Sequence, residues 1–386
     1  MRILLAPDKF KGSLTAADVA RHLGAGLLAQ RPDLELSAVP IADGGDGTVD
    51  AAVAAGYQRR PVTVSGPTGE SVDTSFALMG DRAVVELADA CGLVRLPGGK
   101  PAPMTASTAG LGEVLLAAVR AGAATVVLGI GGSASTDGGA GMLTALGAVL
   151  LDDAGRPLAP GGGALARVHR VNLSGLDPAL AGVRILLATD VDNPLLGLTG
   201  AAAVYGPQKG ASPAEVEQLD EALTRWADVL QRQLPGDWAR TPGAGAAGGV
   251  GFAALAALGA ASFPGIELVL ALGDFAGRLE QSDLVITGEG SLDAQTLQGK
   301  GPAGVAAAAA ALGLPVVAVA GRVLLTADQL AAAGFTSSYA LLDLEHDPAI
   351  CMAQAGALLE SLGRLVAADL PTATENGRNP RIRLIE

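Results

Sequence analysis

Four short clusters, each setting glycine beside hydroxyl or charged residues where a short apolar run ends, constrain this chain more than any other feature. They are Lys9-Phe10-Lys11-Gly12-Ser13, Asp43-Gly44-Gly45-Asp46-Gly47-Thr48, Gly129-Ile130-Gly131-Gly132-Ser133-Ala134-Ser135-Thr136-Asp137-Gly138-Gly139 and Gly288-Glu289-Gly290-Ser291-Leu292-Asp293. Glycine lets backbone N–H groups close around an anion, hydroxyls add donors, and a helix start adds partial positive charge. In open α/β sheets, ligands bind beyond the carboxyl ends of the strands, so these loops are expected to face one cleft. The clusters take up part of an unusual glycine content, 54 of 386 residues, about twice ordinary usage. Collagen is excluded by the lack of a three-residue period, and disorder by a hydrophobic content of 49%.

The order of elements points to an α/β chain. Arg2–Pro7 is a short apolar run suited to a buried strand. Thr15 and Asp18 have capping-box spacing, and Val19, Leu23 and Leu27 then recur on one helical face. Leu34–Ile41 reads as the next strand, so a parallel sheet with right-handed crossovers follows. From about Arg60 to Leu96 the style changes to short alternating strands with turn glycines. Thr125–Ile130, Val183–Ala188 and Leu284–Thr287 are further strand candidates. The strand-and-helix alternation returns with a helix over Gly301–Leu312 and strands over Leu314–Ala320 and Phe335–Leu342. The simplest architecture is a doubly wound parallel-sheet domain, residues 1–60 plus 265–386, carrying a second, inserted α/β domain, residues 61–264. The polar segment from Thr372 is expected to be loosely ordered.

Charge and cysteine content narrow the function classes. A formal charge of −13 without clustered Lys and Arg offers no footprint for nucleic acid. Cys91 and Cys351 cannot build a disulfide framework, which suits a reducing, cytoplasmic setting. The uncharged runs Thr241–Ile266 and Gly301–Gly321 are rich in Ala and Gly and interrupted by proline, so no membrane span is expected. His22, His169 and His346 are isolated and read as structural.

Several motifs compete for the glycine loops. Gly129-Ile130-Gly131-Gly132-Ser133-Ala134 fits the dinucleotide fingerprint, with Asp152 downstream as a ribose partner. Against a nicotinamide enzyme, the helix that should follow contains Gly138, Gly139 and Gly141, each costing about 0.8–1.0 kcal/mol relative to Ala. Gly99-Lys100 and Gly299-Lys300 lack the remainder of a Walker A loop, and no protein-kinase set or serine-hydrolase elbow is present. A non-catalytic binding protein for small acids is a further reading.

Taken together, Ala6–Ser13, Ala42–Thr48, Gly129–Gly141, Ala188-Thr189-Asp190-Val191-Asp192-Asn193-Pro194-Leu195 and Thr287–Asp293 resemble the type I glycerate kinase family of bacteria. The resemblance runs in order to about Leu370 and includes Val204–Gly210, Ala244–Gly249, Gly299-Lys300-Gly301 and Ala320-Gly321-Arg322. It implies a Rossmann-like domain paired with a smaller α/β domain, the active site in the cleft between them, and domain closure over the substrate. It also implies ATP-dependent phosphorylation of D-glycerate, most simply to 2-phosphoglycerate, with 3-phosphoglycerate the alternative. The segment Asn376–Glu386 is unlike the family.

Within that resemblance, phosphoryl transfer needs positioning and charge neutralisation more than covalent help. The base near the attacking hydroxyl is Asp43 or Asp46, and Asp43 is preferred because it directly ends a strand. Lys11, Arg322 and Lys300 are the candidate cations for the glycerate carboxylate, with Lys9 and Ser13 as further substrate contacts. Gly131, Gly132, Ser133, Ser135, Thr136 and Asp137, with Gly288, Glu289, Gly290 and Ser291, are candidates for nucleotide phosphate. Asp190 and Asp192, two residues apart in extended chain, would share Mg²⁺ or its waters, and Asp190 is counted among the catalytic groups. Homodimerisation is left open.

Overall fold

The computed structural model describes residues 1–298 and 301–371. In chain order its strands are β1 (Arg2–Pro7), β2 (Glu35–Ala38), β3 (Gln58–Ser65), β4 (Ser71–Met79), β5 (Arg82–Glu86), β6 (Thr125–Gly129), β7 (Val149–Leu151), β8 (Arg170–Asn172), β9 (Arg184–Ala188), β10 (Ala261–Phe263), β11 (Leu284–Leu292), β12 (Val316–Val323) and β13 (Ser337–Ala340). The chain divides into two compact units, Met1–Asp43 with the chain from Val269 onward, and Gly44–Leu268. Residues 44–60 and 265–268, expected with the first unit, belong to the second. For residues 44–60 the reason is packing: the helix Thr48–Ala54 lies against β4 and β5, and β3 pairs with β4.

The first unit holds a five-stranded sheet in the order β13-β12-β11-β1-β2, every neighbouring pair parallel. Ile3, Leu5, Leu284, Ile286, Val317 and Val319 join the helices Ala16–Gln30 and Ala355–Asp369 in one core. By the two-residue period of a strand, Leu4, Val285 and Ala318 face the other way, and they too are buried. Coverage of both faces is what a parallel sheet requires. Thr15 caps the first helix, its side chain accepting from the Asp18 N–H as the spacing predicts.

Several strand ends differ from the expectation. β2 stops at Ala38, although the Val39 and Ile41 N–H groups still donate to the Leu5 and Pro7 carbonyls, so the pairing direction continues. β11 runs on to Leu292, through the glycine cluster rather than ending before it. Gly288 permits this, since a β-carbon there would stand 1.7 Å from the Val319 carbonyl oxygen on the neighbouring strand. The helix over Gly301–Ala310 follows as expected, and β12 runs on to Val323, three residues past the expected end at Ala320. The segment from Thr372 lies outside the described residues, as do Gly299 and Lys300.

The second unit has a six-stranded sheet in the order β10-β9-β6-β5-β4-β3. β3, β4 and β5 are antiparallel neighbours, whereas β5, β6, β9 and β10 pair in parallel. The alternating style read between Arg60 and Leu96 corresponds to the antiparallel part. A small hairpin, β7–β8, stands apart from the main sheet. Leu128, Leu187, Val85, Leu111 and Trp226 are among the side chains of its core.

Candidate active site

In the first unit, the chemistry gathers at the carboxyl ends of β1, β11 and β12. Asp8 follows β1 directly, and its N–H donates to the Gly288 carbonyl at 2.8 Å, 7% of the residue remaining exposed. The Lys9 N–H donates to Asp8 Oδ1 at 2.6 Å and Lys9 Nζ lies 3.7 Å from the same oxygen. Burial pushes the Asp8 carboxyl up to about 7; Lys9 opposes the rise, and Asp43 and Glu289 add to it. Lys11 is exposed in a tight turn in which the Ser13 and Leu14 N–H groups and the Ser13 hydroxyl donate to the Phe10 carbonyl. Ser13 is thus committed to its own turn.

The adjacent loops approach closely because they carry glycine. A β-carbon on Gly321 would stand 2.5 Å from the Gly290 carbonyl oxygen, and one on Gly290 would meet the Lys11 nitrogen at 3.4 Å. Glu289 accepts from the Thr296 hydroxyl at 2.6 Å. Exposed Arg322, paired in register with Ser291, donates through Nε to the Ser291 hydroxyl at 3.0 Å. One end of a parallel sheet thereby carries Lys9, Lys11 and Arg322 beside Asp8, Asp43 and Glu289.

In the second unit the carboxyl ends of β5, β6 and β9 bring together two more of the clusters and the Ala188–Leu195 motif. A β-carbon on Gly129 would lie 2.8 Å from the Gly44 carbonyl oxygen, and one on Gly131 2.6 Å from the Gly45 α-carbon. Side chains at either glycine would push these loops apart. Glu86, at the end of β5, holds the loop from below: Oε1 accepts from the Gly47 N–H at 3.0 Å and Oε2 from the Val49 N–H at 3.1 Å. Burial pushes Glu86 up to about 7 despite these bonds, and exposed Asp46 together with Asp89 acts in the same direction. Asp190 Oδ1 accepts from the Gly265 N–H at 2.8 Å, and Asp192 is exposed.

The long glycine loop is more buried than an open phosphate cradle. Ser133, Ser135, Thr136 and Asp137 lie in the interior, and of the candidate nucleotide residues here only Gly131 and Gly132 reach the surface. Asp137 accepts from the N–H groups of Thr108, Gly139 and Gly141 and from the Thr108 hydroxyl, which ties the loop to the segment before the helix Ala109–Arg120. Burial raises the Asp137 carboxyl while those bonds lower it. Lys209 is buried beneath the same loop and donates through Nζ to the Ser133 hydroxyl at 2.8 Å and the Ser135 carbonyl at 2.5 Å. Desolvation brings its ammonium down to about 7, with Asp137 opposing. The hydroxyls of Ser135 and Thr136 find no hydrogen-bond partner among the described residues.

The nicotinamide reading fails on local geometry. No helix follows Gly131: the chain runs as loop until the helix Ala140–Ala145, so the fingerprint lacks the helix N-terminus that should receive a pyrophosphate. Asp152 is committed to Arg156, accepting from both its N–H and its guanidinium Nε. Three buried groups escaped the sequence reading. Asp8 carries the same strand-end signal as Asp43; Glu86 carries none, since its partners are backbone N–H groups distant in the chain, and Lys209 stands in the Val204–Gly210 motif with nothing local to show that it reaches the Ser133 hydroxyl and the Ser135 carbonyl. Lys300 lies outside the described residues. His22 pairs with Glu360, a structural role as expected. Among the described residues no group of three or more His, Cys, Asp or Glu could hold a metal ion, and no helix is long and apolar enough to cross a membrane.

A model of the glycerate kinase family matches residues 3–370, and the chain belongs to that family. A glycerate kinase from Halalkalibacterium halodurans is 43% identical over 368 residues, covering 95% of this chain and 97% of that protein. A glycerate 2-kinase from Escherichia coli is 44% identical over 324 residues, 83% of this chain and 85% of that protein. A crystal structure described as glycerate kinase 2 from Salmonella typhimurium superposes with a TM-score of 0.83 at 40% identity, over 95% of this chain and 97% of that one.

Proposed function

We propose that this protein transfers the γ-phosphoryl group of ATP to D-glycerate, giving 2-phosphoglycerate and ADP. The observation that carries the reading is the family match over residues 3–370 together with the likeness to a glycerate 2-kinase over 83% of the chain. The site chemistry supports it. Glycerate is a small acid with two hydroxyls, and Lys11 and Arg322 stand beside carboxylates at one sheet end, supplying cations for its carboxylate and acceptors for the proton its attacking hydroxyl gives up. The N–H groups of Gly131 and Gly132 remain for phosphate, while Ser133, Ser135, Thr136 and Asp137 keep that loop in shape.

Magnesium would enter with the nucleotide. Mg²⁺ is commonly held by one or two carboxylates plus substrate phosphates rather than by an all-protein cage. Asp190 and Asp192 are the side chains that would hold it. It would supply charge neutralisation on the phosphates. Work in the cytoplasm, where ATP is available, agrees with two free cysteines, Cys91 and Cys351.

The test is ADP release with D-glycerate as acceptor. Stoichiometric ADP formation that requires glycerate supports the reading; ATP turnover indifferent to glycerate removes it. Coupling the product to enolase without phosphoglycerate mutase then separates 2- from 3-phosphoglycerate.

A further inference from the structure

We propose that Asp8 is a further catalytic residue of the phosphoryl transfer, the group that accepts the proton of the attacking glycerate hydroxyl. The assignment rests on the glycerate kinase reading given above and deepens it.

The position of Asp8 sets it apart from the other carboxylates. It is the first residue beyond β1, the sheet's second-innermost position by strand order, and its backbone is pinned to β11 through the Gly288 carbonyl. About 10% of its side chain remains exposed, and its two oxygens face different neighbours. Oδ1 is taken by the Lys9 N–H, whereas Oδ2 points toward Gly301, where a β-carbon would lie 3.4 Å away. Among the described residues, the charged groups facing it are Lys9 from its own strand end, Asp43 from the chain after β2 and Glu289 from β11. The helix Gly301–Ala310, which begins against it, carries no ionisable side chain. Asp8 is thus desolvated and, among the described residues, flanked by two carboxylates and one cation, which is the environment that raises a carboxyl toward neutrality. A base works best when its affinity for the proton matches the operating pH, and Asp8 has been pushed to about 7.

The step balances. The hydroxyl oxygen of glycerate attacks the γ-phosphorus and forms the new P–O bond, while the bond from that phosphorus to the β,γ-bridging oxygen breaks and its electron pair leaves with ADP. The hydroxyl proton passes to an ionised Asp8 oxygen, and Asp8 later releases it to water. Lys9 holds the carboxylate in place, and Asp43 and Glu289 raise its affinity for the proton.

Steady-state kinetics with ATP and D-glycerate between about pH 5.5 and 9 decide the matter, since a base must be ionised to act. Wild-type kcat is expected to fall on the acid side with an apparent pKa near 7. Asp8→Asn should lower kcat by about 10²-fold or more, leave KM for glycerate within a few-fold, and abolish the acid limb; Asp8→Glu should restore part of the rate. Because Asp8→Asn alters a buried position, a second measurement is independent of it. Asp43→Asn and Glu289→Gln each remove a negative charge facing Asp8, so each should move the acid limb to lower pH. Folded Asp8→Asn protein that keeps kcat within tenfold of wild type, or keeps the acid limb, overturns the assignment. So does an acid limb unmoved in both neighbour variants. Failure of the broader reading looks different: wild-type protein would then release no glycerate-dependent ADP at any pH.

Discussion

A β-carbon on Gly131 would stand 2.6 Å from the α-carbon of Gly45, so two loops separated by 86 positions meet backbone to backbone. Carbon–carbon contacts are favourable only near 3.5–4.0 Å, and Gly131→Ala must therefore separate the two loops. We expect the variant to raise KM for ATP at least tenfold and to lower the melting temperature. Gly290→Ala is the control for stability, because its β-carbon would meet Lys11 at 3.4 Å, an ordinary contact. Thermal melts and nucleotide titrations of both variants check the contrast.

Glu86→Ala removes the acceptor for the half-buried Gly47 N–H and the buried Val49 N–H. A buried donor left unmade costs about 1–3 kcal/mol, while loss of the buried charge itself returns part of that. The net expectation is a destabilisation of about 1–4 kcal/mol by urea unfolding, with kcat reduced as the Asp43–Thr48 loop loosens. Unchanged kcat in a destabilised variant would separate the loop from the chemistry.

Lys209 supplies a pH signature. Its ammonium is brought down from 10.5 to about 7, so between those values the unfolded chain binds the proton and the native state does not. Stability from this group therefore rises with pH across that window. Asp8 and Glu86 have the opposite sign: each is raised to about 7, the native state binds the extra proton, and stability falls as pH rises from about 4 to 7. Free energies of unfolding measured from pH 4 to 10 should show a decline on the acid side and a recovery on the alkaline side, and Lys209→Met should flatten the alkaline recovery.

Arg322 bears on substrate recognition. Its guanidinium already donates to Ser291, so its position is held before any acid arrives. Arg322→Ala should raise KM for glycerate by about 10–100-fold, the equivalent of about 1.4–2.8 kcal/mol, with a smaller effect on kcat and on KM for ATP. Arg322→Lys, which keeps the charge and loses the planar fork, should fall between. Equal KM values in wild type and Arg322→Ala would remove the residue from the substrate site.

Much of this molecule was readable along the chain because its signals are local. β1, the capped helix Ala16–Gln30, the antiparallel ribbon β3–β4 and β12 all follow from short-range periodicity, capping and turn chemistry. The clusters at the ends of strands were readable for the same reason, since a run of glycine and aspartate after an apolar stretch is a property of a dozen neighbouring residues. β11 was read short because its continuation depends on a partner strand: Ser291 and Leu292 stay extended through pairing with Arg322 and Val323.

What the sequence determined by itself was the α/β alternation, the insertion of one unit within another, and the family, all carried by pattern and by the order of the motifs. Only the tertiary structure decided which polar groups are inside. Asp137 and Thr136 look like phosphate ligands in a Gly-Ser-Thr-Asp string, yet the fold turns them inward and gives the aspartate four donors from Thr108, Gly139 and Gly141. Asp8 looks like one more strand-end aspartate, yet burial beside Asp43 and Glu289 makes its proton affinity unlike that of a surface carboxylate. Desolvation and charge proximity depend on what lies within a few ångströms in space, and residues 8, 43 and 289 become neighbours only when β1 pairs with β2 and β11.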